Sequence, residues 1–470
     1  MDAEVYEEDG KVWIRKRCPE HGEYKDLYWG SYRQYMRALE YDHTAKKLEN
    51  PRTETVKGCP YDCGICPNHK SHTVLAIIDV TNRCNLRCPI CFANAGVAGY
   101  LYEPSLKQID AMLRNLASNR PVRPPAIQFS GGEPTVREDL PEIVRMARKH
   151  GFRHIQVDSN GIRMAESLDY CKELREAGVN AVYLQFDGVT PEPYIAARGR
   201  DLFDVKVRAI DNLRKAGFKS VVLVVTLVGG LNDNQIGDII RFAVENRDIV
   251  RCVNFQPVSI TGRIDYSKRM EMRITIPDLM RLCEEQTRGA IREDDWYPVP
   301  CVVPVSKAAE AMTGKDYVEF GCHPHCGMAT YIFVEKGKIV PITQYADVDE
   351  LFKAFEEAYE LASKGHKTRA KLKVTSAALR HVKFSLLAKY LMPVIMSGSY
   401  DALAELHYNM IMLGSMHFMD PYNFDLERVE RCIIHYAVPD GRIIPFCTMN
   451  TIHRPLVERK FAVPLAKHSS

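Results

Sequence analysis

Between Val74 and Val258 the chain alternates short apolar runs with stretches of helical period. The runs are "VLAIIDV" (74–80), "AIQFS" (126–130), "HIQVDS" (154–159), "AVYLQFD" (181–187), "SVVLVVTLV" (220–228) and "CVNFQPV" (252–258). Helical spacing falls near 104–118, 138–149, 164–177, 204–216 and 235–245. This rhythm predicts a parallel sheet, because parallel neighbours are joined by crossover helices. Six strands fit a partial barrel better than the eight of a closed one. Functional loops then belong at the C-terminal ends of the strands. The loop after the first strand reads "VTNRCNLRCPICFANAG" (80–96).

The length, 470 residues, exceeds one ordinary core. Three sections are expected: a cysteine-bearing front (1–72), the α/β section (73–270) and a C-terminal section (271–470). Basic and acidic side chains nearly balance, 63 against 60, so charge gives no case for a nucleic-acid partner. The cysteine count, 15, is odd, the cysteines are clustered, and the acidic start "MDAEVYEEDGKVW" is no secretory signal. Metal binding in a reducing cytoplasm is the expectation. No apolar run reaches the ~18 residues of a membrane helix; the nearest, "LLAKYLMPVIMSGSY" (386–400), is interrupted by Lys389 and Pro393.

Cys84, Cys88 and Cys91 stand in C-x3-C-x2-C spacing. A zinc knuckle usually offers two pairs, whereas three thiolates in one loop suit an iron–sulfur cluster with one iron left open. "FSGGEP" (129–134) follows the second strand, and "DSNG" (158–161) and "FDG" (186–188) end later ones. Over about 74–260 these marks resemble the radical S-adenosylmethionine (SAM) superfamily. The resemblance implies an α/β fold, a partial (β/α)6 barrel. Cys84, Cys88 and Cys91 would hold three irons of a 4Fe–4S cluster, and SAM would chelate the fourth. An electron would then cleave SAM to a 5′-deoxyadenosyl radical that attacks unactivated carbon. Gly131 and Gly132 would admit the methionine end, with Glu133 accepting from its amino group and Phe92 near adenine. Ser159 and Asn160 would contact ribose or, alternatively, form a strand-end turn or helix cap. Asp187 is a ligand contact or a turn residue.

Other cysteines suggest N- and C-terminal auxiliary-cluster extensions. Cys59, Cys63 and Cys66 ("CPYDCGIC") repeat the spacing of the main trio, as a second cluster site or a zinc site. Cys301, Cys322, Cys326 and Cys447 are the expected rear set, with Cys432 the alternative fourth member and plain structural thiols the competing reading. Cys171, Cys252 and Cys283 read as ordinary buried residues. Cys18 and His21 ("CPEHG") look like half of a metal knuckle whose partner half would precede Met1, so no closed site is expected there. Hairpins are predicted at Asp9–Gly10, Lys336–Gly337 and Asp440–Gly441, and a long helical stretch at about 347–415.

"GCPYDCGICPNHKSHT", "FQPVSITGR", "FGCHPHCG" and "HYAVPDGRIIPFCTMN" together resemble the group of tetraether lipid synthases and class D pterin methylases. That group implies either joining of archaeal lipid chain ends or methylation of a methanopterin precursor. Met392, Met396, Met410, Met412, Met416, Phe418 and Met419 tilt the expectation toward an apolar channel for lipid tails, against plain core packing. His323, His325, His417 and His435 are the polar groups a pterin pocket could use. An external donor such as a ferredoxin or flavodoxin is implied. The basic stretch 363–383 is either a peripheral membrane contact or a solvated helix face. A catalytically silent electron carrier or scaffold is the remote alternative, opposed by the intact cysteine trio and Gly131–Gly132–Glu133.

Overall fold

The computed structural model describes residues 2–20, 22–384 and 409–463. The chain opens with an antiparallel meander of β1 (Ala3–Glu8), β2 (Lys11–Cys18) and β3 (Gly22–Trp29). Asp9 and Gly10 both have positive φ, the conformation of a tight two-residue hairpin turn. The meander is tied to the far end of the sequence: the His325 ring stacks on Tyr35 at 4.0 Å and lies 4.7 Å from Trp29.

The six expected core strands are present as β4 (Leu75–Thr81), β5 (Ala126–Gly131), β6 (His154–Ser159), β7 (Ala181–Gln185), β8 (Val221–Leu227) and β9 (Val250–Pro257). All are parallel, and each pairs with the next in sequence. That order winds one way without reversal, as in a barrel and unlike a doubly wound sheet. Intervening helices, such as Leu106–Ala117, Leu140–Lys149 and Phe203–Lys215, bury apolar faces on it. The core includes Ile78, Phe129, Val157, Leu184, Leu223 and Phe255.

The barrel does not close. Its C-terminal section supplies β10 (Tyr297–Pro298), β11 (Gly327–Glu335), β12 (Lys338–Pro341), β13 (Ile411–Met416), β14 (Ile434–Ala437) and β15 (Ile443–Pro445). β13 runs parallel beside β9, while β14 runs parallel beside β4. Strands from the last third thus extend both edges of one 12-stranded sheet. The edges an open parallel sheet would expose are thereby covered.

The expected long helix over 347–415 is not continuous. Among the described residues of this span two helices occur, Val348–Ser363 and Lys367–His381, split where Gly365 takes φ +86 and the His366 N–H reaches back to the Leu361 carbonyl at 2.9 Å. Residues 411–416 are a strand, because their apolar side chains are wanted on both faces between β9 and β11. Met392, Met396 and the run 386–400 lie outside the described residues. Among the described residues no helix is long and apolar enough to cross a membrane.

Candidate active site

The site forms where β4, β5 and β6 end together. Past Thr81 the chain enters the cysteine loop, and the glycine loop after β5 is stitched to it. Gly132 N donates to Thr81 O at 2.8 Å and Glu133 N to Arg83 O at 2.8 Å. A Cβ on Gly131 would stand 2.1 Å from Thr81 O, and one on Gly132 would stand 2.2 Å from Arg83 O. What crowds these glycines is therefore the start of the cysteine loop itself. Glycine is the only residue without the clashing atom.

Glu133 is buried, and its carboxylate is a knot. Oε1 accepts from Thr135 N (3.1 Å), Thr135 Oγ1 (2.6 Å) and Ser159 Oγ (2.8 Å), and Oε2 accepts from Asn160 N (2.7 Å). Burial pushes its pKa up while these four bonds oppose the rise. Oε2 keeps lone-pair capacity for one more donor. Ser159 and Asn160, expected as ribose contacts or caps, have most of their polar capacity committed to protein. Ser159 Oγ accepts from Gly161 N at 3.0 Å; Asn160 Oδ1 accepts from Ile162 N at 3.0 Å, and Nδ2 donates to Asn85 Oδ1 at 2.7 Å. They cap the strand end and lash it to both loops.

Asp187 does not face the cleft. It is fully buried and forms a two-pronged ion pair with Arg198, at 2.7 and 2.8 Å, and accepts from Gln185. Arg198 is the residue that reaches the site: Nη1 donates to Ile90 O at 2.9 Å and Nη2 to Thr226 Oγ1 at 2.9 Å. Its guanidinium opposes the rise that burial imposes on the Cys88 thiol. Behind it lies Lys206, entirely buried, donating to Asn160 O at 2.5 Å and Gln185 Oε1 at 2.7 Å; desolvation lowers its pKa to about 7. Nothing in the sequence pattern distinguishes Arg198 or Lys206 from surface cations. The signal exists only once β7, β8 and the cysteine loop converge.

Together these groups line a cleft of about 170 Å³. One wall carries Cys84, Cys88, Cys91, Gly131, Gly132, Glu133, Asp158, Ser159, Asn160 and Arg198. The rest of the lining mixes apolar Phe92, Val258, Ile264, Phe418, Met419 and Phe446 with polar Gln256, Ser259, Thr261, Arg263 and Asn450. Phe418 stacks on Phe446 at 3.8 Å, and Phe92 lies 5.8 Å from Phe446. The donor set fits a 4Fe–4S cluster with an open iron. Three thiols face the cleft, burial holds Cys84 up at about 12 until a metal takes its proton, and no fourth cysteine or histidine is among the lining residues.

The family profile described as the radical SAM superfamily matches residues 78–243, and one described as the HMPTM N-terminal zinc ribbon domain matches 1–30. A 7,8-dihydro-6-hydroxymethylpterin dimethyltransferase of Methanocaldococcus jannaschii is 52% identical over 99% of this chain and 94% of its own length. The chain belongs to the radical SAM superfamily. A mitochondrial GTP 3′,8-cyclase of Arabidopsis thaliana is 27% identical over 47% of this chain and 57% of its own. Among solved structures, SuiB of Streptococcus suis aligns over 47% of this chain and 47% of its own, at 18% identity and a TM-score of 0.36.

The radical SAM enzyme carries two further thiol groups. In front, Cys59, Cys63 and Cys66 share one small hollow with His69, against Pro445 of β15. At the rear, Cys322 feels the charges of Cys326 and Cys432, and Cys432 and Cys447 feel each other and Cys326. Cys301, expected in this set, has Asp349 and Arg37 as its charged neighbours. Cys432, the alternative member, has Cys447 and Cys326. Among the described residues no trio of Cys, His, Asp or Glu is drawn to the spacing of a single metal ion. Among the described residues, Arg428 Nη1 and both ring nitrogens of His417 are buried without a partner, on residues that bond to Cys326.

Cys18 ends β2, whereas His21 lies outside the described residues. His323, His325, His417 and His435 are buried away from the cleft; His435 pairs with His69 at 3.2 Å. Of the methionine-rich region, Phe418 and Met419 reach the cleft, while Met410 packs with Phe333 and Tyr345.

Proposed function

We propose that this radical SAM enzyme methylates a reduced pterin of the 6-hydroxymethyl class. The observation that carries the reading is the 52% identity to the Methanocaldococcus dimethyltransferase across 99% of the chain, both cysteine-rich flanks included. When bound at the cleft, the cluster and SAM supply an electron and a carbon-centred radical able to take hydrogen from an unactivated carbon. The chain's part is to hold, orient and shield. Cys84, Cys88 and Cys91 would ligate three irons. Gly131 and Gly132 leave the backbone edge bare, and the free capacity of Glu133 Oε2 can take one N–H. Arg198, fixed by Asp187, places a positive charge beside Cys88, stabilising the reduced cluster. The Phe92–Phe446–Phe418 wall excludes water from the radical and offers a flat face to a ring.

In this reading the front and rear thiols hold two auxiliary clusters, fed by a small external electron donor such as a ferredoxin or flavodoxin. A second reading, coupling of lipid chain ends, draws on one observation: Phe92, Val258, Ile264, Phe418, Met419 and Phe446 put an apolar patch in the cleft, although Ser259, Thr261, Arg263 and Asn450 line it too. Of the described part of the methionine stripe, only Phe418 and Met419 line the cleft. The basic helix Lys367–His381 turns Ala370, Ala377 and Ala378 inward and pairs Lys373 with Glu357, as an ordinary solvated helix does.

The deciding experiment is anaerobic. The reconstituted enzyme, with reductant, SAM as radical source and a one-carbon donor (a second molecule of SAM or a methylene-bearing reduced pterin), is offered either 7,8-dihydro-6-hydroxymethylpterin or an archaeal diether phospholipid. Mass spectrometry follows 5′-deoxyadenosine and each substrate. Pterin-dependent deoxyadenosine with a product heavier by one or two methylenes is the expected result. Deoxyadenosine that responds only to the lipid, with joined tails, overturns it in favour of the second reading.

A further inference from the structure

The buried arginines of this chain follow a rule with one exception. Arg137 pairs with Asp139, Arg198 with Asp187, Arg273 with Asp26 and Asp420, Arg431 with Asp42, and Arg454 with Asp79 and Glu458. Arg428 is as buried as any of them, at 2% exposure, and among the described residues it has no carboxylate partner. Nε points to Cys326 Sγ at 3.4 Å, Nη2 donates to His417 O at 2.5 Å, and Nη1 donates to nothing. Asp425, bonded to the Tyr28 hydroxyl at 2.7 Å and capping the helix Leu426–Glu430, makes no ion pair with Arg428. A buried guanidinium needs a counter-charge. The groups it faces are the thiols Cys326 and Cys447 and the ring of Tyr28, whose centroid lies 5.8 Å away.

His417 repeats the pattern. It is 1% exposed, its backbone N–H donates to Cys326 O at 3.0 Å, and neither ring nitrogen finds a partner. Among the described residues three polar atoms are thus orphaned on two residues that both bond to Cys326, Arg428 through its thiol and His417 through its backbone, and a neutral thiol satisfies a guanidinium poorly. A 4Fe–4S cluster held by four thiolates is anionic, and its sulfides accept hydrogen bonds. It supplies both the missing charge and the missing acceptors.

We propose that Arg428 and His417 donate hydrogen bonds to the sulfur atoms of a cluster seated on Cys322, Cys326, Cys432 and Cys447, and make that cluster easier to reduce. Reduction adds one negative charge to the cluster, so a fixed buried cation and a fixed donor favour the reduced form. With all four irons held by protein, this cluster passes electrons and does not bind substrate. The inference rests on the reading of the four thiols as a cluster site, and it is independent of whether the substrate is pterin or lipid.

The test uses the full chain, reconstituted anaerobically in a background with Cys84, Cys88 and Cys91 changed to alanine. Iron and sulfide are counted, and an electron paramagnetic resonance redox titration follows the remaining signals. Cys432→Ser identifies the rear signal by removing it. Arg428→Met is expected to keep the iron but lower the ratio of reduced to oxidised rear cluster about tenfold at a fixed potential, the size of one charge-assisted hydrogen bond. Arg428→Lys, which keeps the charge, is expected to retain most of that ratio. His417→Phe is expected to shift the ratio less and to remove an exchangeable proton coupled to the rear cluster. Full iron with an unmoved ratio in His417→Phe and in whichever Arg428 variant folds overturns the proposal. Iron and signals untouched by Cys432→Ser overturn instead the reading on which it rests.

Discussion

The cleft and the rear thiol group are both built to hold sulfur-ligated iron, yet they are assembled in opposite ways. The cleft takes its three cysteines from one eight-residue stretch, Cys84 to Cys91, and borrows only its walls from elsewhere. The rear group draws Cys322 and Cys326 from before β11, Cys432 from before β14 and Cys447 from after β15. The first needs a loop of the right shape. The second needs the last third of the chain to have wrapped both edges of the sheet. Charge separates them too. The cation at the cleft, Arg198, is neutralised by Asp187, whereas the cation at the rear, Arg428, is left for what binds there.

The largest expected effect tests the independence of the two. Cys88→Ala should remove one cluster's worth of iron and lower SAM cleavage by at least ~10³-fold, because the radical source is lost as a unit. The rear signal should persist in the same sample. If both signals vanish together, the sites are not separate folding problems. Next, Cys432→Ser should cost the rear cluster while Cys301→Ser leaves every cluster in place, as read by iron content. Equal loss from both would restore Cys301 to the rear set.

Asp187→Asn breaks the buried pair and leaves Arg198 charged against Cys88. A loss of about 3–5 kcal/mol in stability is expected, as for other broken buried pairs, read by thermal unfolding. A change under about 1 kcal/mol would mean that solvent reaches Arg198.

The smallest effect concerns pH. Asp158 at the end of β6 has one hydrogen bond, from Ser130 Oγ at 3.2 Å, and burial beside Glu133 holds its pKa up to about 7. An unfolded aspartate ionises near ~3.9. The stability its neutral form contributes is therefore complete below about pH 4 and lost as pH rises through 7. Between pH 5 and 8 the metal-free wild type should lose up to about 3 kcal/mol relative to Asp158→Asn. Parallel curves for the two would place Asp158 in contact with water.

Much of this molecule was legible before any coordinates. The six core strands, the three hairpins and the cysteine trio obey local rules: apolar runs of strand length, turn dipeptides such as Asp9–Gly10, and ligands close in sequence. The glycine pair was legible as a close approach, but not what approaches. The strand Ile411–Met416 was misread as helix because a run that is apolar on both sides carries no period of its own, and only neighbours β9 and β11 decide its state. Asp187 is a similar case, since a carboxylate at a strand end looks the same whether it meets a ligand or an arginine eleven residues on.

The sequence by itself determined the parallel α/β core, the iron-binding loop at its mouth and the superfamily, because each is carried by residues a few positions apart. The tertiary structure alone decided that Ser159 and Asn160 bind Glu133, that Cys326 and Cys447 come near each other, and that Arg428 stands buried beside Cys326 with no acid partner among the described residues. Those facts join residues tens to hundreds of positions apart, as with Cys326 and Cys447 or Arg428 and Cys326. Only the wrapping of the C-terminal strands around both edges of the sheet closes such distances.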